Sequence, residues 1–262
     1  MSLFPVLKYI EYLFFSRHLY GHGIHSPFVF NLVSGVMRNK IDPDIVCSIE
    51  TLREKMISNR EIIKVNDLGS GSRKMIGSLR KVSELAINSA VSKKYGIFLS
   101  RMSESFSGRL VIEFGTSLGI STMYIAASCP DATVCTMEGC PEISGIAARN
   151  FREAGFSNIR LFTGAFEEVF PEVISMNITP GLVYIDGNHR KEPLTRYFSQ
   201  VADISDDRTV VIIDDIYSSR EMAEAWGEIK NDARVTFTVD IYRMGIVFFR
   251  EGISPFHYVV RY

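Results

Sequence analysis

Cysteine is scarce in this sequence, and the four present, Cys47, Cys129, Cys135 and Cys140, form no C-x-x-C pair. Such spacing offers neither a zinc knuckle nor a disulfide framework, so reduced, structural thiols in a cytoplasmic protein are expected. An excess of charge of either sign is also missing: 29 basic residues meet 30 acidic ones, for a net charge of -1. No global field draws the chain to nucleic acid or to an anionic membrane, and no nucleic-acid partner is expected. Long apolar runs are lacking too. The stretch from Leu3 to Phe15 is interrupted by Lys8 and Glu11. It is too short to span a bilayer, and no small-residue cleavage site follows it, so it reads as neither a transmembrane segment nor a signal peptide. The chain shows no internal repeat and no low-complexity segment, which sets aside solenoids and flexible linkers.

What is present is an ordinary globular composition, 46% hydrophobic and 23% charged over 262 residues, enough for one large core or for a domain with an appendage. Leu3, Val6, Leu7, Ile10, Leu13 and Phe14 recur at helical spacing, which predicts one buried helical face packed against the rest of the chain. A membrane surface or a partner, including a second copy in a homodimer, is the alternative for that face. Further helices are expected over Pro27 to Met37, Pro43 to Arg60, Met75 to Ala90 and Ser92 to Ser105, with one short apolar stretch at Ile62 to Val65.

Beyond residue 108 the texture changes. Short apolar runs at Leu110 to Phe114, Thr133 to Met137, Ile159 to Thr163, Leu182 to Ile185 and Val210 to Ile213 alternate with amphipathic helical patterns. Runs of this kind mark buried parallel strands. Two more, Val235 to Val239 and Gly245 to Phe249, have no helix between them and should pair as an antiparallel hairpin at the sheet edge. The expected fold is therefore α/β: a Rossmann-like, doubly wound, seven-stranded and mostly parallel sheet over 108–262, preceded by a helical cap or lid over 1–107.

Ligands of such sheets sit at the carboxyl ends of the strands. The first end reads Glu113-Phe-Gly115-Thr116-Ser117-Leu-Gly119-Ile-Ser121: an acid, a glycine turn, then a helix whose N-terminal N–H groups can face a polar ligand. The second reads Thr136-Met-Glu138-Gly139, and an acid there can accept both ribose hydroxyls of a nucleoside or, alternatively, cap the helix that starts near Pro141. A dinucleotide fold would want glycines where Ser117 and Ile120 stand, and side chains there would crowd a pyrophosphate, which weakens a nicotinamide-dependent oxidoreductase. Asp67-Leu-Gly69-Ser-Gly71-Ser72 is a more literal glycine motif, but no second strand ending in an acid follows it, so a polar loop that helps close the site is expected.

Glu113-Phe-Gly-Thr-Ser-Leu-Gly-Ile-Ser resembles the E-x-G-T-x-x-G-x-S form of the first motif of class I S-adenosylmethionine-dependent methyltransferases, as in the catechol and caffeoyl-coenzyme A O-methyltransferase group. Tyr184-Ile-Asp186-Gly-Asn-His189 resembles the fourth-strand motif of the same superfamily. The resemblance covers roughly residues 108 to 250. It implies S-adenosylmethionine as cofactor, with Glu113, Gly115, Thr116, Ser117, Gly119, Ser121, Glu138, Gly139, Ala165, Phe166 and Asp186 as its contacts. Ser117 departs from the commonest motif, which has a second glycine there.

The chemistry is expected at the fourth and fifth strand ends, where Asp186 and the pair Asp214-Asp215 would share one crevice. Clustered carboxylates are costly unless something positive sits among them, and a hard divalent cation is one answer. In the resembled O-methyltransferases, matching positions hold magnesium, which binds and acidifies a substrate hydroxyl; Asp215 stands where that group usually offers an amide. The alternative has Asp214 capping a helix near Ser218 and Asp215 paired with a basic residue such as Arg190. His189 suits removal of a hydroxyl or amine proton, so Asp186 and His189 are the catalytic candidates. His18, His22 and His25 lack a completing acid or cysteine for zinc; by analogy with N-terminal lids, Tyr20, His22, His25 and Phe28 are candidate acceptor contacts. The expected activity is methyl transfer to oxygen or nitrogen of a small-molecule acceptor. A cofactor-binding sensor or assembly protein without turnover is the alternative, and an oxidoreductase the weaker one.

Overall fold

The computed structural model describes residues 3–16, 18, 21, 23–65, 78–252 and 255–262. In chain order its elements are helices α1 (Phe4–Phe15), α2 (Pro27–Ser34) and α3 (Pro43–Ser58), strands β1 (Ile62–Val65) and β2 (Ser78–Lys81), helices α4 (Val82–Asn88) and α5 (Lys93–Phe106), strand β3 (Leu110–Phe114), helix α6 (Ile120–Ala127), strand β4 (Thr133–Glu138) and helix α7 (Pro141–Glu153). Strand β5 (Ile159–Thr163), helix α8 (Phe166–Ile174), strand β6 (Leu182–Ile185), helix α9 (Lys191–Asp203), strand β7 (Val210–Asp214), helix α10 (Arg220–Lys230) and strands β8 (Phe237–Asp240), β9 (Met244–Phe248) and β10 (Phe256–Val259) complete the chain. The fold is the expected mostly parallel, Rossmann-like α/β sheet. Among the described residues it has eight strands rather than seven, in the order β10-β8-β9-β7-β6-β3-β4-β5.

The compact units are Lys40–Ile178 on one hand and Met1–Asn39 with Thr179–Tyr262 on the other, a division that does not fall at residue 107. In the first unit β3, β4 and β5 run parallel, with Glu113 opposite Thr136 and Glu138 opposite Thr163. All five residues of β3 are buried, as are the residues of α6 from Ile120 to Ala126, the near-continuous apolar signature of strands covered on both faces. Helix α5 lies close to α6 because residue 96 is glycine: a Cβ there would come within 2.5 Å of the Tyr124 ring. The Tyr124 hydroxyl donates to Glu50 of α3 at 2.8 Å.

The expected helix over Met75 to Ala90 is corrected. Ser78–Lys81 is a strand, paired antiparallel with Ile62–Val65, and helix begins only at Val82. Helical propensity lost here to the backbone pairing offered by the strand across from it.

In the second unit β6 and β7 are parallel, with Ile185 opposite Ile213, while β9 runs antiparallel to both β7 and β8. The β8-β9 hairpin exists as expected but is not the edge. Strand β10, whose Phe256, His257, Tyr258 and Val259 carry no continuous apolar signal, pairs parallel with β8 outside it. The Trp226 ring of α10 packs on Gly245, where a Cβ would approach to 2.7 Å.

The face of α1 expected to be buried is also corrected. Leu7 is 61% and Phe14 76% exposed, and Leu3, Val6, Ile10 and Leu13 are exposed with them. The helix turns inward on Tyr12 instead. Tyr12 is buried, its hydroxyl donates to the Val260 carbonyl at 2.7 Å, and its ring lies 5.5 Å from that of Tyr242. A hydroxyl that can reach a backbone acceptor at the sheet margin selects this face over a wider but purely apolar one.

Gly119 carries both demands that only glycine meets, a left-handed φ of +86° and a Cβ position 2.4 Å from the Phe151 ring. Gly119→Ala is expected to destabilise the protein by about 2 kcal/mol or more through strain and overpacking, read as a lowered midpoint of thermal unfolding.

Candidate functional site

The residues at the β3 and β4 ends form one connected structure. Gly115 has φ +99°, and the N–H groups of Gly115 and Thr116 both donate to the Met137 carbonyl at 3.1 Å, which bends the chain sharply over the end of β4. Ser117 follows at φ +49°, a left-handed conformation that glycine takes freely and serine rarely does. Its N–H donates to Glu138 Oε2 at 2.9 Å, while Glu138 Oε1 accepts from the Cys140 N–H at 3.0 Å. The half-buried Glu138 carboxylate is therefore held at the bend by backbone donors on both sides.

The other expected cofactor residues divide by burial. Gly115, Ser117, Glu138, Gly139, Ala165 and Phe166 are partly exposed, whereas Glu113, Thr116, Gly119 and Ser121 are buried. Ala165 and Phe166 begin α8, and the Gly164 N–H donates to the Glu138 carbonyl at 2.9 Å, which ties the start of that helix to the acid. The Phe166 ring stands edge-on to Phe114, 5.6 Å between centroids.

Glu113 is a supporting residue, not a surface one. Its Oε2 accepts from Thr136 Oγ1 at 2.6 Å and from Thr122 Oγ1, and Thr136 Oγ1 in turn meets Thr116 Oγ1 at 2.6 Å. Its Oε1 is buried with no hydrogen-bond partner among the described residues. Burial pushes its carboxyl up to about 7, against the lowering effect of the nearby Ser121, Thr122 and Thr136 hydroxyls and with the charge of Glu138 adding to the rise.

The second cluster lies at the ends of β6 and β7. Asp214 is fully buried and accepts four hydrogen bonds. Oδ1 takes the Asp215 N–H at 2.9 Å and Arg243 Nε at 3.0 Å; Oδ2 takes Arg243 Nη2 at 2.9 Å and the Tyr184 hydroxyl at 3.2 Å. Arg243 Nη2 also lies 3.4 Å from Asp215 Oδ1. Burial, with the charges of Asp214 and Asp215, raises Asp186 well above the usual carboxylate range, while Arg243 and Tyr184 pull it down. Burial and Asp214 raise Asp215 as well, against Arg243 and His189. His189 Nε2 lies 3.6 Å from Asp186 Oδ1.

Asp186, Asp214 and Asp215 do not fit the magnesium site implied by the resemblance. Among the described residues no three His, Cys, Asp or Glu side chains gather to hold a metal, and the acceptor positions of Asp214 are already taken by donors. The positive group is Arg243, not Arg190. The Asp214 cap is likewise corrected: Ser219 caps α10, its side chain accepting from the Met222 N–H at 3.1 Å. Arg243 escaped sequence reasoning because it sits in the turn of the β8-β9 hairpin, 29 positions from Asp214; the signal available was the adjacency of that hairpin to β7.

Of the candidate acceptor contacts, Tyr20 and His22 lie outside the described residues, as does the Asp67 to Ser72 loop. His25 is exposed. Phe28 packs against Phe237 and Phe248, and Phe248 is opposite Val210 at the start of β7, the far end of that strand from Asp214. That position does not bring Phe28 to the carboxylates.

Residues 112–216 match the family model described as a methyltransferase domain. The chain is 27% identical to a catechol O-methyltransferase of Niastella koreensis over 48% of its own length and 58% of that protein's. It is also 27% identical to the O-methyltransferase imqG of Aspergillus flavus, over 47% of this chain and 51% of that one. The chain spans less than two thirds of the length of the first of these relatives. In fold it is similar to the O-methyltransferase TomG of Streptomyces achromogenes in complex with SAM, with a TM-score of 0.56 and 16% identity over 85% of this chain and 95% of that one. An O-methyltransferase from Bacillus cereus in complex with SAH also superposes with a TM-score of 0.56, at 18% identity over 84% of this chain and 97% of that one. Residues 112–216 are thus similar to a methyltransferase domain, and the fold is that of the two O-methyltransferases just named.

The raised carboxyl of Glu113 makes a pH prediction. A carboxyl held near 7 when folded and at 4.5 when unfolded adds stability that is fully present below pH 4.5 and is lost as pH rises to about 7, roughly 3 kcal/mol in all. The stability of Glu113→Gln relative to the native protein should therefore improve across that interval, measured by denaturant unfolding at pH 4.5, 6 and 8; a constant difference refutes the shift.

Proposed function

We propose that the protein is an S-adenosylmethionine-dependent methyltransferase acting on an oxygen of a small-molecule acceptor. The observation that carries this reading is the Glu138 carboxylate, fastened by Ser117 N–H and Cys140 N–H at the bend that ends the second parallel strand, the position from which an acid holds the ribose of a nucleoside. The residues present fit the cofactor: Glu138 and Gly139 would take its ribose, Ala165 and Phe166 border its adenine, and Gly115 to Ser117 underlie its methionine part. Glu113, Thr116, Gly119 and Ser121 hold that surface from beneath, and Asp186 is assigned to the same ligand.

When bound, the cofactor supplies an electrophilic sulfonium methyl. The chain's own work is to align an acceptor oxygen with it and to take a proton. His189 Nε2 is assigned that proton, with Asp186 Oδ1 stabilising the imidazolium that forms. No step is assigned to a magnesium ion. A cytoplasmic setting accords with the free cysteines, and no described helix is long and apolar enough to cross a membrane.

S-adenosylhomocysteine is expected to bind and to raise the melting temperature, while NAD does neither. Glu138→Ala should weaken that binding by about tenfold to a hundredfold, the worth of charge-assisted hydrogen bonds; unchanged affinity in calorimetry would remove the ribose assignment. A screen of phenolic acceptors with labelled methyl donor separates an enzyme from a sensor without turnover.

We further propose a homodimer through α1. Leu3, Leu7, Ile10 and Phe14 form an exposed stripe at helical spacing, and the only two charges of the helix pair with one another, Lys8 to Glu11 at 2.7 Å. A neutral, self-complementary stripe suits a second copy better than an anionic membrane, which favours basic flanks. Sedimentation should give a dimer that Leu7→Glu converts to monomer; a monomeric native protein, or one that floats with phosphatidylglycerol vesicles, overturns this.

A further inference from the structure

We infer that Arg243 is a built-in cation that takes the place of a divalent metal among the carboxylates at the β6 and β7 ends, so that this site is closed to magnesium. The inference rests on the methyltransferase reading only for its consequence, which is metal-independent removal of the acceptor proton. The occupancy itself is independent of any substrate.

The guanidinium meets Asp214 through Nε at 3.0 Å and Nη2 at 2.9 Å, one nitrogen on each oxygen. This is the planar fork that arginine offers to a carboxylate and lysine does not. With Tyr184 Oη and the Asp215 N–H also donating, four donors surround the two oxygens of Asp214. A magnesium ion requires oxygens at about 2.0–2.1 Å in octahedral order and so must first displace these donors. Asp214 has no exposed surface, which makes their loss costly. Arg243 extends to Asp215 as well, at 3.4 Å, so one cation answers two acids.

The turn that delivers Arg243 is an independent observation. Between β8 and β9 only Ile241, Tyr242 and Arg243 intervene, and Tyr242 holds φ +70°, a position where a bulky residue is an outlier. It is kept there by its N–H on Asp240 Oδ1 at 2.8 Å, its hydroxyl on the Pro5 carbonyl at 2.8 Å, and its ring 4.9 Å from that of Tyr9. Strain of this sort persists where surrounding contacts over-determine it, and it clusters at functional sites. The Arg243 carbonyl also accepts from the Ile216 N–H at 3.3 Å, which joins the turn to the segment just past Asp214-Asp215.

Calorimetric titration of manganese chloride into the whole protein, without acceptor or cofactor, tests the inference. The native protein is expected to bind no Mn2+ in the millimolar range. Arg243→Met combined with Asp215→Asn removes the resident cation and one acid, and should bind Mn2+ at least about tenfold more tightly than the native chain. Native binding that Asp214→Asn abolishes overturns the inference, and so does a double variant that binds no better than the native chain. If the double variant fails to fold, Arg243→Lys retains a charge without the fork; its affinity should exceed the native value by about threefold or more, and equality overturns the inference. Failure of S-adenosylhomocysteine to bind would sink the methyltransferase reading and leave this result standing.

Discussion

An acid buried at the end of a parallel strand must be satisfied from inside the protein, because water cannot reach it. Two such acids organise this molecule. Asp214 is met in full by a guanidinium, a tyrosine hydroxyl and a backbone N–H. Glu113 is met on one oxygen only, by Thr122 and Thr136, and its other oxygen is left without a partner among the described residues. The difference decides their chemistry. Asp214 anchors an ion pair, whereas Glu113 sits with its carboxyl near neutrality and acts as the floor beneath a glycine bend.

Backbone strain follows the same geography. Among the described residues, those other than glycine with a left-handed φ are Ser117, Asn177, Asn188, Asp215 and Tyr242. All but Asn177 lie in the segments that follow β3, β6, β7 and β8. Three of these placements turn the chain so that a polar group ends beside the strand termini: Ser117 gives its N–H to Glu138, Asp215 gives its own to Asp214, and Tyr242 brings Arg243 round. Local cost is accepted where the surrounding hydrogen bonds leave no cheaper conformation.

Much of the fold was legible because its signals are local. Five apolar runs between helical patterns became β3 to β7, and the glycine motif at Gly115 to Gly119 became a bend and the start of α6. What was misread depended on distant partners. The segment at Ser78 took a strand because Ile62 to Val65 lies across from it. Strand β10 has a weak pattern and exists because β8 has an open edge to pair. Helix α1 turned its tyrosine inward because a carbonyl at Val260 was there to receive it.

The site shows the same division. Periodicity and spacing alone determined that acids would stand at the ends of β3, β4, β6 and β7, since a strand's length and its terminal residue are properties of a short stretch of chain. Which cation would answer those at β6 and β7 was decided only in three dimensions. Arg243 reaches Asp214 because β9 runs back antiparallel beside β7, and sequence distance carries no trace of that pairing; Coulombic partners are chosen by proximity, and proximity between remote residues is created by the sheet.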